Sequence, residues 1–189
     1  MLIRLSNPSG LAVTLAEAKA ALRVSSDDDD ALLQSLIQAE TLRYEDFTGR
    51  VMLPTDFEYR FDTWHIPLQV PVVPLREVTA LAYLDEDGAE TLVDPSHWYV
   101  VRRDDGFDVY LTDGFEVPAL SDQPQSVRVR FEAGYDEPGV SGSGDDPELA
   151  PVVQDQINII RMVQRIYDRD ELMPDEEMIR TMGNRRIFR

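Results

Sequence analysis

Two histidines, His65 and His97, are the first residues to weigh for chemistry, each beside a tryptophan in a segment that reads as a strand. Neither has a second histidine or a carboxylate at ligand spacing, so neither points to zinc, and both read as half-buried strand residues. The chain has no cysteine, which removes disulfides, thiol nucleophiles and thiolate metal sites together. Asp27, Asp28, Asp29 and Asp30 form an acidic run. Consecutive helical positions point in different directions and cannot all face one ion, whereas negative charge suits a helix N-terminus. Asp85-Glu86-Asp87-Gly88 matches part of a calcium loop, but the first ligand position falls on Tyr83 and the closing one on Asp94, so a hairpin is the better reading. Gly142-Ser143-Gly144 lacks the preceding strand and following helix of a phosphate-cradling loop, and no Gly-x-Ser-x-Gly nucleophile elbow occurs. Abundant carboxylates leave a two-acid hydrolase open as an alternative. No pattern asks for a catalytic residue, a metal or a cofactor.

Composition narrows the class further. The 189 residues include 36 acidic and 18 basic side chains, a formal net charge of −18, and 43% hydrophobic residues. This predicts a single domain, or one with an insertion, with an ample core. No apolar run approaches a membrane span, and Met1–Gly10 is too polar for a signal peptide, so a soluble, non-secreted protein is expected. The acidic balance opposes a nucleic-acid-coating surface, which needs clustered Lys and Arg. Against it, residues 180–189 hold Arg180, Arg185, Arg186 and Arg189 and no acid. With Ile187 and Phe188 between the arginines, that end reads as a docking segment. A nucleic-acid-binding module that uses this basic tail is a second alternative.

Periodicity predicts the elements that would position these residues. Thr14 and Glu17 form a capping-box pattern ahead of a helix within 11–24. A second helix opens at the aspartates and runs to Thr48, with Gly49 as its C-cap. Leu33, Ile37, Tyr44 and Phe47 form its apolar stripe, with Glu40 set into it. That helix has seven acids, so Asp27, Asp28, Asp29, Asp30, Glu40, Glu45 and Asp46 are candidates for an acidic functional surface. From 51 to 135 the period becomes two, as in Phe57, Tyr59 and Phe61 and in Val127, Val129 and Phe131. Asp87-Gly88 and Asp105-Gly106 are type I′ hairpin signals. A Gly/Ser/Pro/Asp loop spans 136–150. Pro151 suits position N1 of a helix reaching about Asp168. The apolar stripe of that helix is wide enough that Ile159, Met162 and Ile166 are candidates for contact with a neighbouring subunit. Residues 175–181 read as a short helix. The expected class is α+β: a small helical bundle (1–50 with 151–179), an inserted antiparallel β domain (51–135), a flexible loop (136–150) and an extended C-terminal tail (180–189).

Read together, the N-terminal motifs carry a resemblance. Thr14-Leu15-x-Glu17-x-Lys19-x-x-Leu22-Arg23-Val24 leads to the acidic run, then to Leu36-Ile37-Gln38-Ala39 and Thr48-Gly49-Arg50. This resembles the head–tail connector (adaptor) proteins of long-tailed phages and phage-like gene transfer agents, closely over about 40 residues and more loosely beyond. The resemblance implies a non-enzymatic virion protein of the neck, between head and tail, assembled in host cytoplasm. It implies a homo-oligomeric ring, typically of twelve subunits, bound to the portal on one face and to a stopper or tail-completion protein on the other. DNA would pass through the ring without specific binding, past an acidic channel. The resemblance also implies a portal-docking role for the C-terminal segment, here Arg180, Arg185, Arg186, Ile187, Phe188 and Arg189, where the chain reverses its charge. Another neck or tail-completion protein is the nearer alternative.

Overall fold

Thr14 caps the first helix as its spacing predicts: its Oγ1 accepts from the Glu17 N–H at 3.2 Å, and the Glu17 carboxylate accepts from the Thr14 N–H at 2.9 Å. The computed structural model in which this is seen describes residues 1–138, 146–169 and 171–187. It is α+β, with helices α1 (Leu15–Leu22), α2 (Asp30–Thr48), α3 (Val153–Arg169) and α4 (Asp175–Met182). Its strands are β1 (Leu2–Arg4), β2 (Thr55–Phe61), β3 (Leu68–Val70), β4 (Leu75–Leu84), β5 (Glu90–Leu92), β6 (Trp98–Arg103), β7 (Gly106–Leu111) and β8 (Val127–Ala133). Two units divide them: Met1–Asn7 with Pro54–Gly134, and Pro8–Leu53 with Tyr135–Arg189.

The sheet unit holds two antiparallel sheets, ordered β1-β2-β8-β4-β5 and β3-β7-β6. Alternation along β8 sends Val127, Val129 and Phe131 inward, where all three are buried. Phe131 stacks on Phe57 at 5.6 Å and meets the edge of Phe107 on the other sheet at 5.0 Å. The alternate positions form an ion ladder across strands. Arg130 pairs with Glu58 at 2.8 Å and with Glu90 at 2.7 Å, and Arg128 pairs with Glu90 at 2.7 Å. Burial pulls the Glu58 carboxyl upward, but hydrogen bonds from Arg130 and Arg60 outweigh it and hold its pKa below the ordinary value.

Several local expectations in this unit are corrected. The first residues form strand β1, which pairs with β2, so they belong with the sheets rather than with the N-terminal helices. The β4–β5 connection is a five-residue loop in which Asp85 Oδ1 accepts from the N–H groups of Asp87 and Ala89, not a two-residue turn on Asp87-Gly88. At the β6–β7 hairpin the turn is Asp104-Asp105 and Gly106 is the first strand residue. Glycine is needed there for closeness, since a Cβ on Gly106 would lie 2.2 Å from the Val70 carbonyl oxygen. Neither histidine lies in a strand. His65 is in a loop and His97 in a 3₁₀ turn, and both are exposed.

The helical unit packs α2 against α3, with α1 and α4 completing its core. Leu33, Ile37 and Tyr44 of α2 join Ile159, Met162 and Val163 of α3, with Met178 and Met182 from α4. Arg23 ends α1 in the left-handed conformation (φ 59°), and Gly49 ends α2 at φ 76°, as a C-cap glycine does. α3 begins at Val153, so Pro151 precedes the helix by two positions instead of opening it.

Candidate functional site

Helix α2 was the expected seat of an acidic surface, and its acids sort into two kinds. Lys19 of α1 reaches Asp27 at 2.6 Å and Asp30 at 2.7 Å. The hydrogen bond to Asp27, then that to Asp30, raises the Lys19 pKa, and the same bond lowers that of Asp27. Asp29 accepts from the Tyr167 hydroxyl at 2.7 Å. Most of the acidic run therefore staples α1 and α3 to the start of α2. Asp29 is the N-cap residue of α2 but makes no side-chain cap bond there.

Glu40 and Glu45 cannot face a channel. Both point into the helical unit and are buried. Glu40 lies near Arg43, and burial raises its pKa despite that partner. The Glu45 carboxylate accepts the Met52 N–H at 2.7 Å, holding the chain as it leaves α2. The helical period explains the correction: Glu40, Tyr44 and Glu45 fall on the stripe of Leu33 and Ile37. Asp27, Asp28 and Asp46 remain exposed.

The C-terminal segment is also placed differently from expectation. Residues 175–182 are helix α4, with Met178 and Met182 buried. Arg185 donates from Nε and Nη2 to the two carboxylate oxygens of Asp155, each at 2.6 Å, and Asp155 is fully buried. The Tyr44 hydroxyl donates to the same carboxylate at 2.6 Å. Burial and then this bond hold the phenol pKa well above its ordinary value. The Thr48-Gly49-Arg50 ending of α2 receives the last described residues. The Ile187 N–H donates to the Thr48 carbonyl at 2.6 Å, and Arg50 Nε donates to the Arg185 carbonyl at 2.9 Å. Arg50 Nη1 also donates to the Tyr135 hydroxyl at 2.9 Å. Ile187 is buried, and the Arg186 guanidinium lies 5.5 Å over the Phe47 ring. The expected extended, loosely held tail is thus corrected as far as Ile187. A buried carboxylate needs a cation, and Arg185 supplies it. Arg180 and Arg186 are exposed. Phe188 and Arg189 lie outside the described residues.

Of the expected intersubunit face on α3, Ile159 and Met162 are fully buried in the unit's own core and Ile166 is half-buried. The outward stripe of α3 is instead Val153, Ile157 and Arg161, exposed at 66% and 38% for the two apolar residues. Sequence reasoning missed Asp155, Tyr44 and Lys19 as structural partners. The signal available was an acid on the apolar stripe of α3, four residues before Ile159.

Among the described residues no three His, Asp or Glu groups gather to hold a metal. No described helix is long and apolar enough to cross a membrane. A groove of about 400 Å³ between α3 and α4 is lined by Arg161, Arg165, Asp168 and Glu177. Its Arg165 and Glu177 are paired at 2.6 Å. Gly142-Ser143-Gly144 lies outside the described residues.

Comparison with known proteins supplies a frame for these surfaces. Residues 12–70 match the family model of phage gp6-like head-tail connector proteins, the segment that contains α1, α2 and the Thr48-Gly49-Arg50 ending. Among solved structures, a chain from the neck of an empty gene transfer agent particle, computed with C6 symmetry, has a TM-score of 0.75 at 22% identity. A chain from the neck of a native particle, computed with C12 symmetry, gives 0.73 at 22%, and one from the virion of a native particle gives 0.73 at 21%. Each comparison covers 100% of this chain and 96% of the other. These likenesses are of fold. No curated protein matches in sequence.

Proposed function

We propose that the protein is a head–tail connector, a non-enzymatic ring component of the neck of a phage or gene transfer agent particle. The observation that carries this reading is the match of residues 12–70 to the connector family, supported by a fold shared from end to end with neck chains. The local architecture supports it as well, because the family-matched segment holds the groups that receive the C-terminal segment, Thr48 and Arg50. In a ring, each subunit meets two neighbours through two different faces, a heterologous closed arrangement. One face of the ring would sit on the portal and the other on a stopper or tail-completion protein. Exposed Arg180 and Arg186, with Phe188 and Arg189 beyond, are the groups we assign to the portal.

An acidic lumen is the finer part of the proposal. A formal net charge of −18 per chain repels a DNA duplex at any wall where acids are exposed, over a Debye length of about 8 Å at physiological ionic strength. Asp27, Asp28 and Asp46 are the α2 acids that can serve. Electron microscopy and mass measurement of the full chain, alone and co-expressed with its portal protein, test the reading. Rings on the portal are expected. A chain that stays monomeric and unattached in both settings would sink it.

A further inference from the structure

The Thr48-Gly49-Arg50 ending of α2 joins parts of the chain that are far apart in sequence. A helix leaves its last carbonyls without partners. Gly49 turns the chain aside at φ 76°, and the Thr48 carbonyl accepts the Ile187 N–H at 2.6 Å. Arg50 divides its donors between two acceptors. Its Nε donates to the Arg185 carbonyl and its Nη1 to the Tyr135 hydroxyl, each at 2.9 Å, which a planar guanidinium with several donors can do at once. The first acceptor lies in a strap, residues 183–187, anchored by the Arg185–Asp155 pair. The second lies where the chain re-enters the helical unit, since the chain leaves that unit after Leu53 and returns at Tyr135. The outgoing and returning segments are bonded to each other, the Tyr135 N–H to the Val51 carbonyl at 3.4 Å. The Met52 N–H ties the outgoing one to Glu45 at 2.7 Å. Val51, Met52, Leu53 and Tyr135 are all buried.

We infer that residues 183–187 are a releasable clamp on the two segments that connect the helical unit to the sheet unit, and that Arg50 is the positioning residue through which it acts. With the strap docked, the Arg185 carbonyl fixes the Arg50 side chain, Arg50 holds Tyr135, and Tyr135 holds Val51. With the strap undocked, Arg50 loses that carbonyl and regains rotamer freedom, so its grip on the Tyr135 hydroxyl weakens. The strap is the last described stretch of the chain, and it can leave without unfolding α2 or α3, which makes its release a local opening. Undocking leaves Asp155 buried without its cation, so the closed state is the resting one. A partner that binds the C-terminal residues in undocked form supplies the differential affinity that release requires, and the connecting segments loosen in response. On the connector reading that partner is the portal; the clamp itself does not depend on that reading.

Coupling of this kind is reciprocal, so amide hydrogen exchange tests it from both sides, with the Ile37 amide in the middle of α2 as the reference. On the side of the connecting segments, Tyr135→Phe in the full chain removes only the hydroxyl that Arg50 holds. The Ile187 amide is then expected to exchange about fivefold faster relative to Ile37, the low end of typical coupling between sites. On the side of the strap, a chain ended at Met182 lacks the clamp, and Asp155→Asn in the same chain leaves no buried charge unpaired. Its Met52 and Tyr135 amides are expected to speed up by a similar factor relative to Ile37. An Ile187 amide that is unchanged relative to Ile37 in Tyr135→Phe overturns the clamp. So do Met52 and Tyr135 amides in the shortened chain that stay unchanged or accelerate only as much as Ile37. Either result leaves the connector reading standing, because ring formation on the portal is read separately by mass and electron microscopy. A chain that forms no rings, conversely, leaves these exchange rates to decide the clamp alone.

Discussion

At the scale of single residues, Asp155 and Glu40 illustrate opposite fates of a buried carboxylate. Asp155 accepts from Arg185 and Tyr44 and is fully compensated. Removing its partner leaves an uncompensated buried charge, so Arg185→Ala is expected to cost about 3–5 kcal/mol in chemical denaturation of the helical unit. Arg185→Lys should recover only part, since an ammonium cannot repeat the two-pronged contact. Glu40 is compensated less well, and burial raises its pKa above the ordinary value of 4.5. Below that value the group is protonated in both folded and unfolded states and costs nothing. As pH rises through the raised folded pKa, the native state loses stability. Glu40→Gln is therefore expected to raise the melting temperature at about pH 7 and to leave it almost unchanged near pH 4. An equal shift at both pH values would show that packing, not ionisation, is responsible. Neither role was readable from residue type alone. Glu40 was recognisable as an acid on an apolar stripe, but the pairing of Asp155 with Arg185 spans 30 residues, and no periodicity encodes it.

At the scale of elements, local signals were legible where the physics is local. The capping box of Thr14 and Glu17 and the C-cap at Gly49 depend on residues within one turn, and both form as read. Thr14→Ala is expected to destabilise the helical unit by about 1 kcal/mol, read as a shift in the denaturation midpoint. The C-terminal segment departs from its sequence reading because its composition resembles a free docking peptide, while its anchors are distant. Truncation tests the revised view. Ending the chain at Met182 removes both the Arg185 ion pair and the Ile187 contact, and should lower the melting temperature by on the order of 10 °C. Ending it at Ile187 removes only Phe188 and Arg189, and should leave melting unchanged while weakening attachment to the portal in a pull-down. Normal attachment by that second truncation would move the docking role to Arg180 and Arg186.

At the scale of the whole molecule, charge governs association. With −18 per chain, assembly is expected to strengthen as salt rises from low ionic strength towards about 0.15 M, where screening shortens to about 8 Å. Light scattering across a salt series checks this, and assembly that weakens with salt would point to interfaces dominated by ion pairs. Within an assembled ring, the lumen should present acids such as Asp28 or Asp46. A basic or neutral lumen in an electron-microscopy map would remove the channel proposal and leave the connector reading intact.

By itself the sequence determined the α+β class, the N-cap of α1 and the C-cap of α2, the alternation of β2 and β8, and the connector resemblance carried by Val13 to Arg50, within the residues 12–70 that match the family. All of these depend on patterns within one turn, one strand or one continuous segment. Only the tertiary structure decided which acids of α2 stay at the surface, that residues 2–4 complete a sheet, and that the arginine-rich end closes on Asp155 instead of hanging free. The reason is the same for the charged groups. A charged side chain near an apolar stripe can go inward or outward, and what decides is whether a distant residue supplies the partner that makes burial affordable.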